Sequence, residues 1–329
     1  MEYRNFGNCG VEVSRMGLGC YSMSGAYGAA DDAESIATIH RAIERGITLL
    51  DTSASYGQGH NHTLIGKAIR DRRDKVFIHS KTGTIRAQEK GSVAEGSGTP
   101  ERLREICELS LNNLGIETLD VLTMSRVDPT VPIEESVGAM GRLVDEGKTR
   151  FIGLSEAAAA TVRHGFDART LTSLQYEYSL WTRDPEDGEL EACRELDMAL
   201  MAYAPLGYGF LTGTVNKAGA QSDVDTRQKF PRFTEEHFEA NRQRVAQLEA
   251  LGRDKGTTAA QICLAWLLAK GDDVFPIPGC KSRNHLDENI DAMDVVLTAE
   301  DLAFLDAVFP RGSAAGDRYP PDGMQRVNR

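Results

Sequence analysis

The alternation of apolar runs with helical stretches predicts a (β/α)8 barrel with an N-terminal β-hairpin and extra C-terminal helices. Three observations carry this expectation. Eight short apolar runs recur along the 329 residues, each followed by a segment of helical spacing. No linker rich in Pro, Gly or Ser divides the chain, so residues 1–329 read as one domain. Two of the runs stop abruptly at a polar residue, Asp51 and Lys81, as strands do at the edge where barrels place their chemistry.

The elements follow in order. MEYRNFGNCGVEV reads as a short hairpin around Gly7 to Gly10, without the charged start and apolar centre of a signal peptide. SRMGLGCYSMSG ends the first barrel strand in small residues that let the backbone approach a ligand closely. Asp32 and Glu34 open a helix with Ile36, Ile39 and Ile43 at helical spacing, stopped by Gly46. Thr48 to Leu50 give the second strand, His62 to Arg70 a helix, and Val76 to Ser80 the third strand. The aperiodic stretch from Gly83 to Gly98 reads as a long loop at the Lys81 edge, where long loops usually serve binding. Thr99 caps a helix that has Pro100 as its first residue and Gly115 as its stop. Strands four to eight fall at Leu119 to Met124, Phe151 to Leu154, Leu171 to Gln175, Ala199 to Tyr203 and Val274 to Ile277. The intervening helices are Ile133 to Asp145, Ala157 to His164, Glu189 to Leu196 and Ala259 to Lys270. Two more, Glu235 to Leu251 and one capped by Thr298 with Asp301 three residues on, exceed the basic eight.

Composition narrows the function. A net charge of −12 argues against nucleic acid as a partner, because binding phosphates along a backbone needs a basic surface. No run of about 18 apolar residues marks a membrane span. The six cysteines are scattered without a CxxC, so neither a zinc site nor a disulfide framework is expected, and a reducing cytoplasm fits best. His60 and His62 are the only clustered histidines, and two imidazoles without a third ligand make no metal site. The surface helices carry no heptad seam, which leaves the oligomeric state open.

If the second and third strands are parallel, Asp51, Tyr56 and Lys81 converge at one edge. An ammonium near a phenol favours the phenolate, and a carboxylate holds that ammonium charged and oriented, which together make a tuned proton donor. DTSASYG, followed by GHN, LIGKAI and KVFIHSK, resembles the aldo-keto reductase superfamily. The resemblance implies NADPH-dependent reduction of a small-molecule carbonyl substrate, with Tyr56 as proton donor, Lys81 tuning it and Asp51 bracing Lys81. It requires no metal.

No GxGxxG opens a helix after a strand and no GxxxxGK[ST] occurs, so a dinucleotide must be held by other means. IPGCKSRNHLDEN offers backbone amides at Gly279 and Cys280, cations at Lys281 and Arg283, and a helix start, all suited to a phosphate. The stretch is similar to the family's NADP segment, which implies Lys281 and Arg283 on the 2′-phosphate and Glu288 and Asn289 on the adenine. The same resemblance places Ser155 and Gln175 on the nicotinamide carboxamide and Tyr203, in AYAPLG, under its ring. Gly19, Cys20, Tyr21, Pro205 and Leu206 complete the expected cofactor contacts. Glu156 stands where many members have Asn.

One departure bears on the activity. Where the family usually ends its fourth strand with His, this chain has Ser125, in LTMSRVDP. A serine hydroxyl is uncharged and a far poorer acid than an imidazole. Three readings follow. Tyr56 and Lys81 suffice for a reactive aldehyde, with Ser125 or a water adding a second hydrogen bond, as in members resembling pyridoxal reductase. Alternatively, the chain reduces a conjugated C=C bond of a keto sugar or similar compound, or serves as a slow NADP-binding regulatory subunit.

Tyr21, Met23, Tyr27, Tyr56, Tyr178 and Trp181 are expected to line an apolar pocket able to stack on a flat ring. The tail AAGDRYPPDGMQRVNR is too irregular for a helix, and its Arg318 and Tyr319 are candidates to close over the cofactor.

Overall fold

The computed structural model describes residues 1–83, 96–215 and 225–327. Most of the loop expected between Gly83 and Gly98 lies outside them. The hairpin forms as read: β1 (Tyr3–Asn5) pairs antiparallel with β2 (Glu12–Ser14). Between them Phe6 is fully buried against Phe77 and Phe275, with ring centroids 5.2 and 5.3 Å away. These two rings sit at the N-terminal ends of their strands, beside Leu49, Val121 and Ala199. The hairpin therefore plugs that end of the barrel with apolar side chains, and the chemistry is left to the other.

Eight strands run parallel in chain order. They are β3 (Leu18–Gly19), β4 (Leu49–Asp51), β5 (Phe77–Lys81), β6 (Leu119–Met124), β7 (Thr149–Ser155), β8 (Ser173–Glu177), β9 (Ala199–Tyr203) and β10 (Val274–Pro276). The first meets the last through a parallel bridge between Gly19 and Gly279, supported by Gly17 N–H to Pro276 O at 3.0 Å and Gly19 N–H to Pro278 O at 3.1 Å. This is the (β/α)8 barrel expected. At the seam a Cβ on Gly19 would lie 2.8 Å from Ile277 O, so the approach of the two strands requires glycine.

Several of the helices that cover the barrel begin or end on the predicted signals, whereas the helix expected at Ala157 to His164 spans Ala159–Ala168 and the one expected at His62 to Arg70 spans His60–Ile69. In α1 (Asp32–Glu44) the N-cap Asp31 accepts from Glu34 N–H. After α2 (His60–Ile69), α3 (Pro100–Leu114) runs from the Thr99 cap to Gly115, whose φ of 66° closes it. Next come α4 (Ile133–Asp145), α5 (Ala159–Ala168), α6 (Glu189–Glu195) and the supernumerary α7 (Glu235–Asp254). Capping boxes start α8 (Ala259–Leu268), through Thr258 and Gln261, and α10 (Ala299–Val308), through Thr298 and Asp301. Between them α9 (Arg283–Asp291) is capped by Ser282. The tail corrects the reading. Pro320 and Pro321 start a four-residue helix, α11 (Pro321–Met324), because proline is preset for a first helical turn.

Helix α2 packs on the end of α3 through Gly66, where a Cβ would fall 2.3 Å from the Leu114 carbonyl oxygen. Gly66→Ala is expected to destabilise the fold by about 1–3 kcal/mol through overpacking, read as a lowered denaturant midpoint at unchanged m-value. An unchanged midpoint would show that the two helices separate freely.

Candidate active site

The geometry starts from strand register. Asp51 ends β4 opposite His79 of β5, and Lys81 lies two residues further on, on the same inward face. Lys81 Nζ donates to Asp51 Oδ1 at 2.6 Å and Oδ2 at 2.7 Å, with both side chains buried. Gln175 Nε2 donates to the same Oδ1 at 2.7 Å, and His79 Nδ1 lies 3.0 Å from it. Burial alone would raise the Asp51 carboxyl, but Lys81 and His79 hold it below its ordinary value. Burial lowers the Lys81 ammonium against the pull of Asp51. His79 is likewise pushed down by burial and stays neutral, so its Nδ1 donates to the carboxylate while Nε2 accepts from Thr123 Oγ1 at 2.8 Å. His79 is a site residue the sequence reading missed. Its place two residues before Lys81 was the available signal.

Tyr56 reaches this pair from the loop after β4. Ala54 N–H bonds to Lys81 O at 3.0 Å, tying the loop to the neighbouring strand, and left-handed Gly57 and Gln58 turn the chain into α2. The Lys81 ammonium lies 5.1 Å from the centre of the Tyr56 ring, and the Tyr21 ring centre lies 4.6 Å from it. Asp51, Tyr56 and Lys81 therefore meet at one mouth. The expected lowering of the Tyr56 pKa is not found. Burial raises it well above its ordinary value, and the Asp51 charge adds to this by disfavouring a second negative charge nearby. The phenol keeps its hydrogen at neutral pH, which is the state a proton donor requires.

Ser125, just past β6, lies at the same mouth, but its hydroxyl donates to the Thr82 carbonyl and its N–H to Thr82 Oγ1 at 3.0 Å. In this arrangement the hydroxyl hydrogen of Ser125 goes to the backbone, and the residue lines the cavity at this mouth. Arg126, also missed in the sequence, projects into the cavity from the adjacent position. Its Nη1 donates to Ser125 O at 2.6 Å and approaches Ser155 Oγ at 3.5 Å.

A cavity of about 940 Å³ opens above these groups and runs between the ends of the strands. Gly19, Tyr21, Ser155, Gln175, Tyr203, Pro205, Leu206, Gly279, Lys281, Glu288 and Asn289 all line it, as do Tyr27 and Tyr56. Several other expected residues do not. Met23 is fully buried in the core. Tyr178 packs edge-on against Trp266 and donates to Glu186, and Trp181 stacks on Phe210. Tyr178 and Trp181 face the surrounding helices because the segment after β8 folds back outward, and Met23, in the turn after β3, points into the core. Their place is taken by Tyr208 and Phe230, whose rings lie 4.9 Å apart at the cavity wall. Cys20 also lies below the cavity, its thiol against Leu18 O. Arg283 turns outward to an exposed ion pair with Glu34 at 2.9 Å.

Glu156 is fully buried and holds the tail. Arg318 donates to it at 2.6 Å and to Glu177 at 3.3 Å, while Tyr203 OH donates to Glu156 at 2.8 Å and lies 2.9 Å from Tyr319 OH. The carboxylate at this position thus connects the tail to Tyr203, a role an Asn could not fill with charge.

His62 on α2 bonds Ser80 Oγ at 3.0 Å, and its Nδ1 is buried without a partner among the described residues. Burial lowers its pKa from the ordinary 6.5 to about 4. The unfolded chain takes up this proton near 6.5 and the folded chain only near 4, so stability falls as pH drops through that interval. His62→Gln is expected to flatten the slope of unfolding free energy between those pH values. An unaltered slope in denaturant titrations would contradict this.

Comparison with known proteins agrees with this geometry. The profile of the Aldo/keto reductase family matches residues 15–309. "Probable aldo-keto reductase 1" from Glycine max is 40% identical over 318 residues, covering 95% of this chain and 90% of that protein. Among solved structures, a glycerol dehydrogenase from Gluconobacter oxydans superposes with a TM-score of 0.84 at 25% identity, covering 97% and 98% of the two chains. An aldo-keto reductase from Klebsiella pneumoniae in complex with NADPH does so with a TM-score of 0.76 at 26% identity, covering 97% and 99%. A barrel plugged at one end, with Asp51, Tyr56 and Lys81 gathered at the other, therefore belongs to a member of the aldo/keto reductase family.

Proposed function

We propose that this chain reduces aldehydes or ketones to alcohols with NADPH, acting most readily on aromatic aldehydes, in a reducing cytoplasm. The observation that carries this reading is the convergence of Tyr56, Lys81 and Asp51 at the floor of the cavity. Family membership and the NADPH held by the Klebsiella relative support the cofactor. All six cysteines are unpaired, in keeping with the compartment.

The cavity suits the cofactor. Lys281 and the Gly279 backbone lie at one end near the Ser282 cap of α9, while Ser155, Gln175 and Tyr203 lie at the other, near Tyr56. Lys281 would hold the 2′-phosphate, Glu288 and Asn289 the adenine, and Ser155 and Tyr203 the nicotinamide. Arg283 has a smaller part because Glu34 neutralises it. When bound, the nicotinamide supplies a hydride.

The protein's own groups do the rest. Tyr56 carries the proton at neutral pH and gives it to the carbonyl oxygen as negative charge develops there. Lys81 then stabilises the phenolate left behind, and Asp51, fixed by Gln175 and His79, keeps Lys81 in place. Tyr21, Tyr27 and Tyr208 form a wall that favours flat, apolar substrates and limits water at the reacting carbon.

Tyr56→Phe should lower kcat for benzaldehyde by about 10²–10⁴-fold while the NADPH dissociation constant stays within about twofold. Unchanged turnover would remove Tyr56 from the mechanism, and reduction of enones instead of aldehydes would reassign the substrate. Lys281→Gln should weaken NADPH by about tenfold, equivalent to about 1.4 kcal/mol, and leave NADH nearly unaffected. Equal loss for both cofactors would argue against a 2′-phosphate contact.

A further inference from the structure

In a chain of net charge −12, the cavity is lined by six cations and two carboxylates. Four of those cations have an acid at hand: Lys81 with Asp51, Arg102 with Glu105, Arg227 with Asp225 and Arg326 with Asp322. Lys281 and Arg126 form no ion pair among the described residues. They lie on opposite sides of the barrel mouth, Lys281 after β10 and Arg126 after β6. Among the described residues Lys281 donates to the carbonyls of Tyr27, Gly28 and Ala29. The proposed cofactor phosphate completes it. Arg126 has no such partner; it lies beside Ser125, across the mouth from Lys281, and its Nη1 comes within 3.5 Å of Ser155 Oγ.

Resting on the proposed carbonyl reduction, we propose that Arg126 binds an anionic group of the substrate, so that the preferred substrates are aldehydes or ketones bearing a carboxylate. A guanidinium presents five donors in a planar fork that matches a carboxylate with two parallel hydrogen bonds. Here Nη1 is held by Ser125 O at 2.6 Å, which anchors the side chain and leaves the remaining donors for a ligand. Glu156, whose charge favours that of Arg126, is bonded to Arg318 at 2.6 Å and forms no ion pair with Arg126 among the described residues. Burial works against the Arg126 charge, and the surrounding Tyr203, Tyr319 and Glu156 overcome this, so the cation persists at all working pH values. The same guanidinium is close enough to Tyr56 to oppose the rise in its pKa, which places the anion site within a small molecule's length of the proton donor. An unpaired, partly desolvated cation attracts an anion more strongly than one in water and gives an uncharged substrate no equivalent gain.

The test compares 4-carboxybenzaldehyde with its methyl ester, methyl 4-formylbenzoate, as NADPH-dependent substrates of wild type, Arg126→Gln and Arg126→Lys. Calorimetric binding of benzoate and of benzamide to the NADP⁺-loaded protein gives a readout independent of turnover. Wild type should favour the carboxylated aldehyde in kcat/KM by about tenfold or more, residing in KM, and bind benzoate above benzamide. Arg126→Gln should erase both preferences while NADPH affinity changes by less than about twofold, and Arg126→Lys should keep part of each. Equal treatment of acid and ester by wild type overturns the proposal, as does a preference that survives in Arg126→Gln. Loss of NADPH affinity as large as the loss of benzoate assigns Arg126 to the cofactor instead, and also overturns it. If neither aldehyde is reduced yet benzoate binds in an Arg126-dependent way, the anion site stands and the carbonyl reductase reading falls.

Discussion

Everything at the mouth of this barrel depends on the buried ion pair between Asp51 and Lys81. Taking two unit charges out of water costs several kcal/mol each, and only close contact with additional hydrogen bonds offsets it. The structure meets that requirement with bonds of 2.6 and 2.7 Å and with Gln175 and His79 on the same carboxylate. Removing either charge would leave the other stranded. The pair is therefore both a structural keystone for the ends of β4, β5 and β8 and the electrostatic setting for the phenol above it.

The setting acts differently from a simple activation of Tyr56. An ammonium alone would draw the phenol toward ionisation, but burial first and the Asp51 charge second hold its pKa well above the ordinary value. In the proposed reaction the phenol stays protonated until negative charge forms on a substrate oxygen. The ammonium then matters most, because a phenolate and a carboxylate compete for it. A proton donor that resists ionisation at rest and is stabilised after transfer meets both requirements of general acid catalysis.

Much of the fold was legible in the sequence because its signals are local. Thr99 with Pro100, Thr298 with Asp301 and Gly115 start or stop helices by chemistry confined to one turn, and the order of strands follows from their alternation with helices. Asp51, Lys81 and Tyr56 were legible for the same reason, since parallel strands bring their ends to one edge. The misreadings concern direction. Met23, Tyr178 and Trp181 are aromatic or soft residues close to strand ends, yet Tyr178 and Trp181 face the helical layer and Met23 the core, and composition does not encode which way a loop turns. Arg126 carries no motif that sets it apart from other cations in the sequence, and Arg283, expected on the 2′-phosphate, turns outward to a partner, Glu34, that lies 249 residues away in sequence. Charges look alike in a sequence until their partners are known, and pairing decides which remain free to bind.

The account is tested most directly by single-turnover reduction of benzaldehyde with NADPH deuterated at the transferred position, comparing wild type with Lys81→Met. The account predicts deuterium at the alcohol carbon in the wild type and a fall in the hydride-transfer rate of about 10²-fold or more in the variant. The NADPH dissociation constant should stay nearly constant. A variant that transfers deuterium at the wild-type rate would contradict the claim that the buried ammonium stabilises the Tyr56 phenolate.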